Sequence, residues 1–243
     1  MNDHDLAALR GVPALVWRAG QERRLAMIAR WAVLERARVL EHGCGIGTFS
    51  AQIGSRYGAQ IEAFDIEPER VQVAREHTPH ALVAAAEHLP YRSNWFDVVL
   101  SQDVLEHVAD DRVSAAEIVR VLKPGGRAII LVPNRWYPFE THGHYWRGQY
   151  HFGNTPLINY LPDSLRNRLA PHVRAYTVRS LRALFADLPV RTVNHHRIFG
   201  GYDNIIARFG TPGRWMRTIL QKLEGSPFDT YGLEHFLVVE KTG

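Results

Sequence analysis

The chain has 243 residues, 46% of them hydrophobic, which supports one sizeable core and no second domain. Its 22% charged residues, 19 glycines and 13 prolines exclude disorder, collagen and low-complexity sequence. The net charge of +4 hides a partition: 12 arginines and four acids lie between Arg135 and Arg217, a local excess of +8, while the rest of the chain is slightly acidic. A helix is predicted over 20–35, where Leu25, Ile28, Ala29, Ala32 and Val33 share one stripe. Residues 38–43 read as a strand running into a glycine turn, 48–56 as a helix and 60–65 as a second strand. Pro68 marks the next helix start and 81–84 a short third strand. The apolar run 96–101 reads as a buried strand, 110–121 as a helix stopped by Lys123-Pro124-Gly125-Gly126, and 127–132 as another buried strand. Strands and helices alternating with short connections demand a parallel sheet covered on both faces.

Beyond Pro133 the pattern breaks: 133–177 is rich in aromatics, histidine, glycine and proline and has no clean period. Regularity returns with a helix at 179–187, a strand at 190–196, a basic helical stretch at 203–222 and a strand at 233–241. The two strands are expected to pair at an antiparallel edge. The longest apolar runs, such as 128–133, are far too short to cross a bilayer. A single cysteine, Cys44, excludes a disulfide framework and a multi-cysteine metal cluster, and the polar start at Met1 to Asp5 lacks secretory architecture. The expected location is cytoplasmic.

The chemical centre is 39–47, Val-Leu-Glu-His-Gly-Cys-Gly-Ile-Gly. A strand ending in Gly43, Gly45 and Gly47 and opening a helix lets backbone pass close to a ligand. Asp65, 18 residues beyond Gly47 at the end of the next strand, is placed to accept hydrogen bonds from both hydroxyls of a ribose. A dinucleotide fingerprint would need glycine where the chain has Thr48. Glu41, beside the loop, suits a cationic amino group and repels a pyrophosphate, so S-adenosylmethionine fits better than NAD.

Six blocks in order carry a family resemblance: 39–47, Phe64-Asp65-Ile66-Glu67-Pro68-Glu69-Arg70-Val71, Ala86-Glu87-His88-Leu89-Pro90-Tyr91, 96–101, Val104-Leu105-Glu106-His107-Val108 and 121–127. The chain resembles the class I S-adenosylmethionine-dependent methyltransferases, in particular the type 11 branch. The resemblance implies an α/β, Rossmann-like three-layer sandwich with a seven-stranded, mostly parallel sheet and an antiparallel edge strand. It divides the single domain into a cofactor-binding core at 1–132, a substrate lid inserted at 133–177 after the fifth strand, and helices and strands at 178–243 that complete the sheet. It also implies that Gly43, Gly45 and Gly47 line the cofactor loop, that Glu41 approaches the methionine amino group, that Asp65 holds the ribose and that Ile66 packs on the adenine. Backbone near Ser101 and Gln102 would face the methionine. The family's usual acid ahead of the third block is Ala85 here, and Ala86 and Glu87 are expected to take over that adenine contact.

Methyl transfer needs a base only when the acceptor arrives protonated. His107 reads as a packed histidine opening the helix after the fourth strand, with acid–base work as the alternative. Asp103 and Glu106 read as charges at that helix's N-terminus. His142 or His144, in the segment after the fifth strand, is the better candidate base. His142, His144, Glu140 and His151 also offer metal donors, but histidines are spread widely through the chain and no metal is expected. The stretch 203–222, with Leu223 just beyond it, carries Trp215, Met216, Ile219, Leu220 and Leu223 on one stripe; packing over the sheet is expected, with peripheral contact to an anionic membrane or a partner protein as the alternative. The expected function is methyl transfer from S-adenosylmethionine to a hydroxyl, amine or carbon of a small, anionic acceptor, without a recognisable nucleic-acid module. A non-catalytic S-adenosylmethionine-binding partner subunit and a nucleotide-dependent oxidoreductase are the alternatives.

Overall fold

Alternation of side chains along the central strands sorts the core onto two faces. Val39, Val98, Ile129 and Phe236 point to one side and Leu40, Val99, Ile130 and Leu237 to the other, all buried. The computed structural model describes residues 17–243; the start at Met1 to Asp5 lies outside the described residues. Helices α1 (Ala19–Trp31) and α2 (Thr48–Tyr57) cover the first face through Leu25, Ile28, Phe49 and Ile53. Helices α4 (Asp111–Val121) and α6 (Val178–Ala183) cover the second through Ala115, Ile118 and Leu181.

The strands are β1 (Arg38–His42), β2 (Gln60–Asp65), β3 (Ala81–Val83), β4 (Phe96–Gln102), β5 (Leu122–Pro133), β10 (Val190–Ile198) and β11 (Glu234–Lys241). They form one seven-stranded sheet in the order β10-β11-β5-β4-β1-β2-β3. Strands β1 to β5 are parallel, while β11 runs antiparallel between β5 and β10, so the expected antiparallel pairing lies at that edge. Helix α3 (Pro68–Ala74) connects β2 to β3.

Several boundaries differ from the sequence expectation. The first helix ends at Trp31, not 35: Ala32 is extended, Val33 is 74% exposed and Leu34 turns inward to join the core. The Lys123–Gly126 stop lies within β5 as a bulge, since Phe96 pairs with Leu122 but Val98 with Arg127. A Cβ on Gly126 would crowd the carbonyls of Phe96 and Asp97, so only glycine folds back so closely there. Helix α4 starts at Asp111, with Asp110 accepting from the amides of Arg112 and Val113. Asp103 and Glu106 therefore stand in turns before it, not at its N-terminus.

Residues 133–177 fold into two small ribbons, β6 (Phe139–Glu140) with β9 (Thr155–Pro156) and β7 (His144–Trp146) with β8 (Gln149–His151), followed by α5 (Asp163–Leu169). Their core is polar: Arg166 donates to Glu140 at 2.8 Å, and both are buried. The 203–222 stretch breaks at Gly210 into α7 (Asp203–Phe209) and α8 (Thr211–Lys222). Gly213 lets α8 approach the backbone of Ile205 and Ile206, but its apolar stripe does not pack over the sheet: Trp215 is 70% and Ile219 58% exposed. Among the described residues no helix is long and apolar enough to cross a membrane.

Candidate active site

The C-terminal ends of β1, β2 and β4 meet the beginning of β11, because an antiparallel strand puts its first residue where its parallel neighbours finish. A cavity of about 1000 Å³ opens at this edge. Its floor is the turn after β1, where Gly43, Gly45 and Gly47 all take left-handed backbone, with φ of 73°, 53° and 78°. A Cβ on Gly43 would collide with Val104, whereas one on Gly47 would crowd Ala74 of α3. Gly43 and Gly45 line the cavity; Gly47 instead lets α2 and α3 approach.

Two buried carboxylates flank the turn. Glu41 accepts from the amide of Ser50 at 2.9 Å and from its hydroxyl. Burial raises its carboxyl to about 7, against the pull of the Ser50 hydrogen bonds. Asp65 accepts from the amides of Gly45 at 2.8 Å and Glu67 at 3.0 Å, so it ties the glycine turn to β2. Both acids line the cavity, as do Ile66, Ala86, Glu87 and Gln102. Glu87 also caps the approach to α4, accepting from the amides of Ala109 and Asp110. Ser101 is not on the cavity wall: its hydroxyl meets His42 Nδ1 at 3.1 Å inside the core, and His42 Nε2 meets Ser114 at 3.2 Å. Burial drives His42 down to about 3, so it is a neutral bridge between strand and helix.

The opposite wall brings together His107, from the turn after β4, and Thr141, His142 and Phe152, from 133–177. The two imidazoles stand edge to face, with centroids 5.2 Å apart. His107 donates through Nδ1 to the carbonyl of His172 at 3.2 Å, and burial lowers it to about 4. The carbonyl of His142 accepts from Tyr150 and His172, which fixes this corner of the segment. His144 is not brought to the cavity; it contacts Thr155 and stacks on His151. Glu140 is taken by His142 and Arg166; although burial alone would raise its carboxyl, the His142 side chain, the Arg166 guanidinium and the His142 amide hold it below the usual range. The expected donor set His142, His144, Glu140 and His151 is therefore divided.

Sequence reasoning missed Arg24 and Glu234. Arg24, on α1, bridges Asp103 at 2.9 Å and Glu234, and all three line the cavity. The antiparallel last strand was the available signal for Glu234, since it brings that strand's first residue to the active edge.

Known proteins are similar to this chain in part of its sequence and in fold. A family model described as a methyltransferase domain matches residues 40–130. Residues 40–130 are thus a class I S-adenosylmethionine-dependent methyltransferase domain of the type 11 branch. Over 119 residues the chain is 34% identical to the ubiquinone biosynthesis O-methyltransferase of Xylella fastidiosa, covering 46% of this chain and 48% of that protein. Over 102 residues it is 39% identical to the biotin biosynthesis bifunctional protein BioHC of Cellvibrio japonicus, covering 41% and 20%. The alignments thus span about half the length, or less, of these curated relatives. In fold, the chain is similar to the methyltransferase solved with the Haloferax volcanii Trm112 methyltransferase activator, with a TM-score of 0.65, 19% identity and coverage of 100% of this chain and 99% of that one. An S-adenosylmethionine-dependent methyltransferase from Mesorhizobium loti gives a TM-score of 0.63 at 17% identity, covering 89% and 96%.

The type 11 domain has residues that fit its cofactor. The Gly43 position leaves room that a Cβ would fill, Glu41 is a buried acid for a cationic amino group, and Asp65 stands at the ribose position of such sheets. The methyltransferase match ends at residue 130, so the wall from 133–177 lies beyond it.

Proposed function

We propose that the protein transfers a methyl group from S-adenosylmethionine to a hydroxyl of a small acceptor. The observation that carries this reading is the convergence of the methyltransferase glycine turn, Glu41 and Asp65 with His107 and His142 on one cavity. At about 1000 Å³ it is as large as ligand pockets commonly are, with room for cofactor and acceptor together. Bound S-adenosylmethionine supplies a methyl group on a sulfonium. Glu41 would balance the charge of the amino group, Asp65 would hold the ribose, and Ile66, Ala86 and Gln102 would shape the remainder. Residues 133–177 serve as the substrate lid, with Thr141, His142 and Phe152 excluding water from the approach line.

A hydroxyl acceptor suits the polar wall better than an amine or a carbon. The Nδ1 of His107 carries a hydrogen for the His172 carbonyl, so Nε2 keeps a lone pair to accept a proton. The names of the Xylella relatives, which are O-methyltransferases, support the same choice. The basic excess does not favour an anionic acceptor: none of the 12 arginines between Arg135 and Arg217 lines the cavity. Arg135, Arg166, Arg174, Arg182, Arg191 and Arg197 are bonded to groups of the fold itself.

The test is incubation of the purified protein with methyl-tritiated S-adenosylmethionine and a panel of small hydroxylated acceptors and cell extracts. Label should appear in an extractable small molecule. S-adenosylhomocysteine binding with no label in any fraction would overturn the reading in favour of a non-catalytic partner subunit.

The exposed face of α8 supports one contact of a different kind. Trp215, Met216, Ile219 and Leu220 line an open apolar groove of about 570 Å³, with Arg208, Arg214, Arg217 and Lys222 nearby in the chain. This pairing of apolar and basic groups fits an anionic bilayer surface. Co-sedimentation with phosphatidylglycerol vesicles, lost in Trp215→Ser and absent with phosphatidylcholine, is expected; no sedimentation with either lipid rejects it.

A further inference from the structure

Behind the cavity wall, Glu106 is 1% exposed, and neither of its carboxylate oxygens has a hydrogen-bond partner. Asp103 and Glu234 approach the same place, and the one guanidinium there, that of Arg24, is engaged by both. Glu234 leaves its own Oε2 without a partner. Of three carboxyls against one guanidinium, Glu106 and Glu234 are buried while Asp103 is partly exposed, which leaves an excess of negative charge on the buried pair. Protons or a bound cation must remove that excess.

The donors facing Glu106 favour a cation. His107 has committed Nδ1 to the carbonyl of His172, which leaves Nε2 with its lone pair. His142 turns Nδ1 toward Glu140 Oε1 at 3.4 Å, and its Nε2 lies 3.9 Å from Glu106 Oε1. Imidazoles backed by a carbonyl or a carboxylate in this way are oriented as metal-ligating histidines are. One donor atom from each of Glu106, His107 and His142 lies within 4.8 Å of the others. Ligands at about 2.1 Å from a tetrahedral ion stand about 3.4 Å apart, so side-chain rotations of about an ångström would complete the site.

We propose that Glu106, His107 and His142 bind one divalent transition-metal ion at the cavity wall. Two imidazoles and one carboxylate suit zinc, manganese or iron; calcium and magnesium favour sets made of oxygen alone. His107 and Glu106 belong to the turn after β4 and His142 to 133–177, so the ion would pin that segment to the edge of the sheet. Its remaining positions would be open to an acceptor oxygen. That last role rests on the methyl-transfer reading and replaces His107 as the proton acceptor, since the ion takes the same Nε2 lone pair; the binding of the ion does not rest on that reading.

The test uses the full chain stripped with a chelator, titrated with zinc chloride by calorimetry and then dialysed for metal counting by mass spectrometry. One ion per chain is expected. Glu106→Gln and His142→Gln should each weaken binding by about 100-fold or more. His151→Ala, which alters the stacked His144–His151 pair, should leave it unchanged. Cobalt in place of zinc should give visible absorption that is lost in His142→Gln. Circular dichroism establishes that each variant is folded, and His142→Gln keeps the test open should Glu106→Gln fail to fold. No retained zinc, or equal affinity in wild type and folded His142→Gln, overturns the proposal. S-adenosylhomocysteine binding, measured on the metal-free protein, separates the two readings: zinc without it removes the methyltransferase reading alone, and it without zinc removes the metal site alone.

Discussion

At the β1–β2 end of the cavity, Glu41 and Asp65 are buried carboxylates supported by Ser50, Gly45 and Glu67. At the β4–β11 end, Glu106, Glu234 and Gln102 leave buried oxygens with no partner. The first end is locked by backbone amides of its own loop and is preorganised. The second is assembled from α1, the turn after β4, residues 133–177 and β11. One wall of a cavity can thus be fixed within one continuous stretch of chain while the other is built from distant pieces.

The largest expected effect tests the rigidity of the first end. Gly43→Ala places a Cβ against Val104 in a left-handed backbone conformation, and S-adenosylhomocysteine binding should be lost by calorimetry. Adding Val104→Ala should recover only part of it, since the backbone strain remains. The second prediction concerns the acceptor side. Glu140→Ala leaves Arg166 charged and buried without its partner and should cost about 3–5 kcal/mol in denaturant unfolding. Asp65→Ala removes charged hydrogen bonds worth about 1.5–3 kcal/mol, so S-adenosylhomocysteine affinity should fall by about 10- to 150-fold.

Next comes pH. The Glu41 carboxyl ionises at about 7 in the fold against an ordinary value of 4.5, so the folded chain holds that proton more tightly. Its contribution to the stability of the ligand-free protein is complete below 4.5 and is lost as pH rises toward 7. A ligand with a cationic amino group needs the ionised form and reverses the trend. S-adenosylhomocysteine affinity should fall by up to about tenfold per unit of pH below 7, and Glu41→Gln should flatten the profile. The smallest effect is Trp215→Ser: with that ring in solvent, stability should change by less than about 0.5 kcal/mol.

The glycine turn and its two buried acids were legible because their rules are local. A glycine turn, an acid before it and an acid at the next strand end each sit at a spacing that strand geometry fixes. The two-faced sheet followed from the alternation of helical and apolar stretches. The opposite wall was not legible, because Arg24, Glu106, His142 and Glu234 are separated by much of the chain and meet only through topology. Glu106 was misplaced for a definite reason: the helix it was expected to open begins five residues later, at Asp111, where Asp110 supplies the cap. Helix α8 misled in the same way, since an amphipathic stripe specifies a face but not what covers it.

The position of β11 governs the order in which the molecule can be made. It lies between β5 and β10, so β10 has no place in the sheet until the last strand has entered. Strands β1 to β5 need only one another, and during synthesis they can pair as they emerge. Glu234 reaches Arg24 across almost the whole chain. The floor of the cavity is therefore early and its opposite wall late, and a ribosome-bound chain that stops short of Glu234 should display the glycine turn before it has a closed cavity.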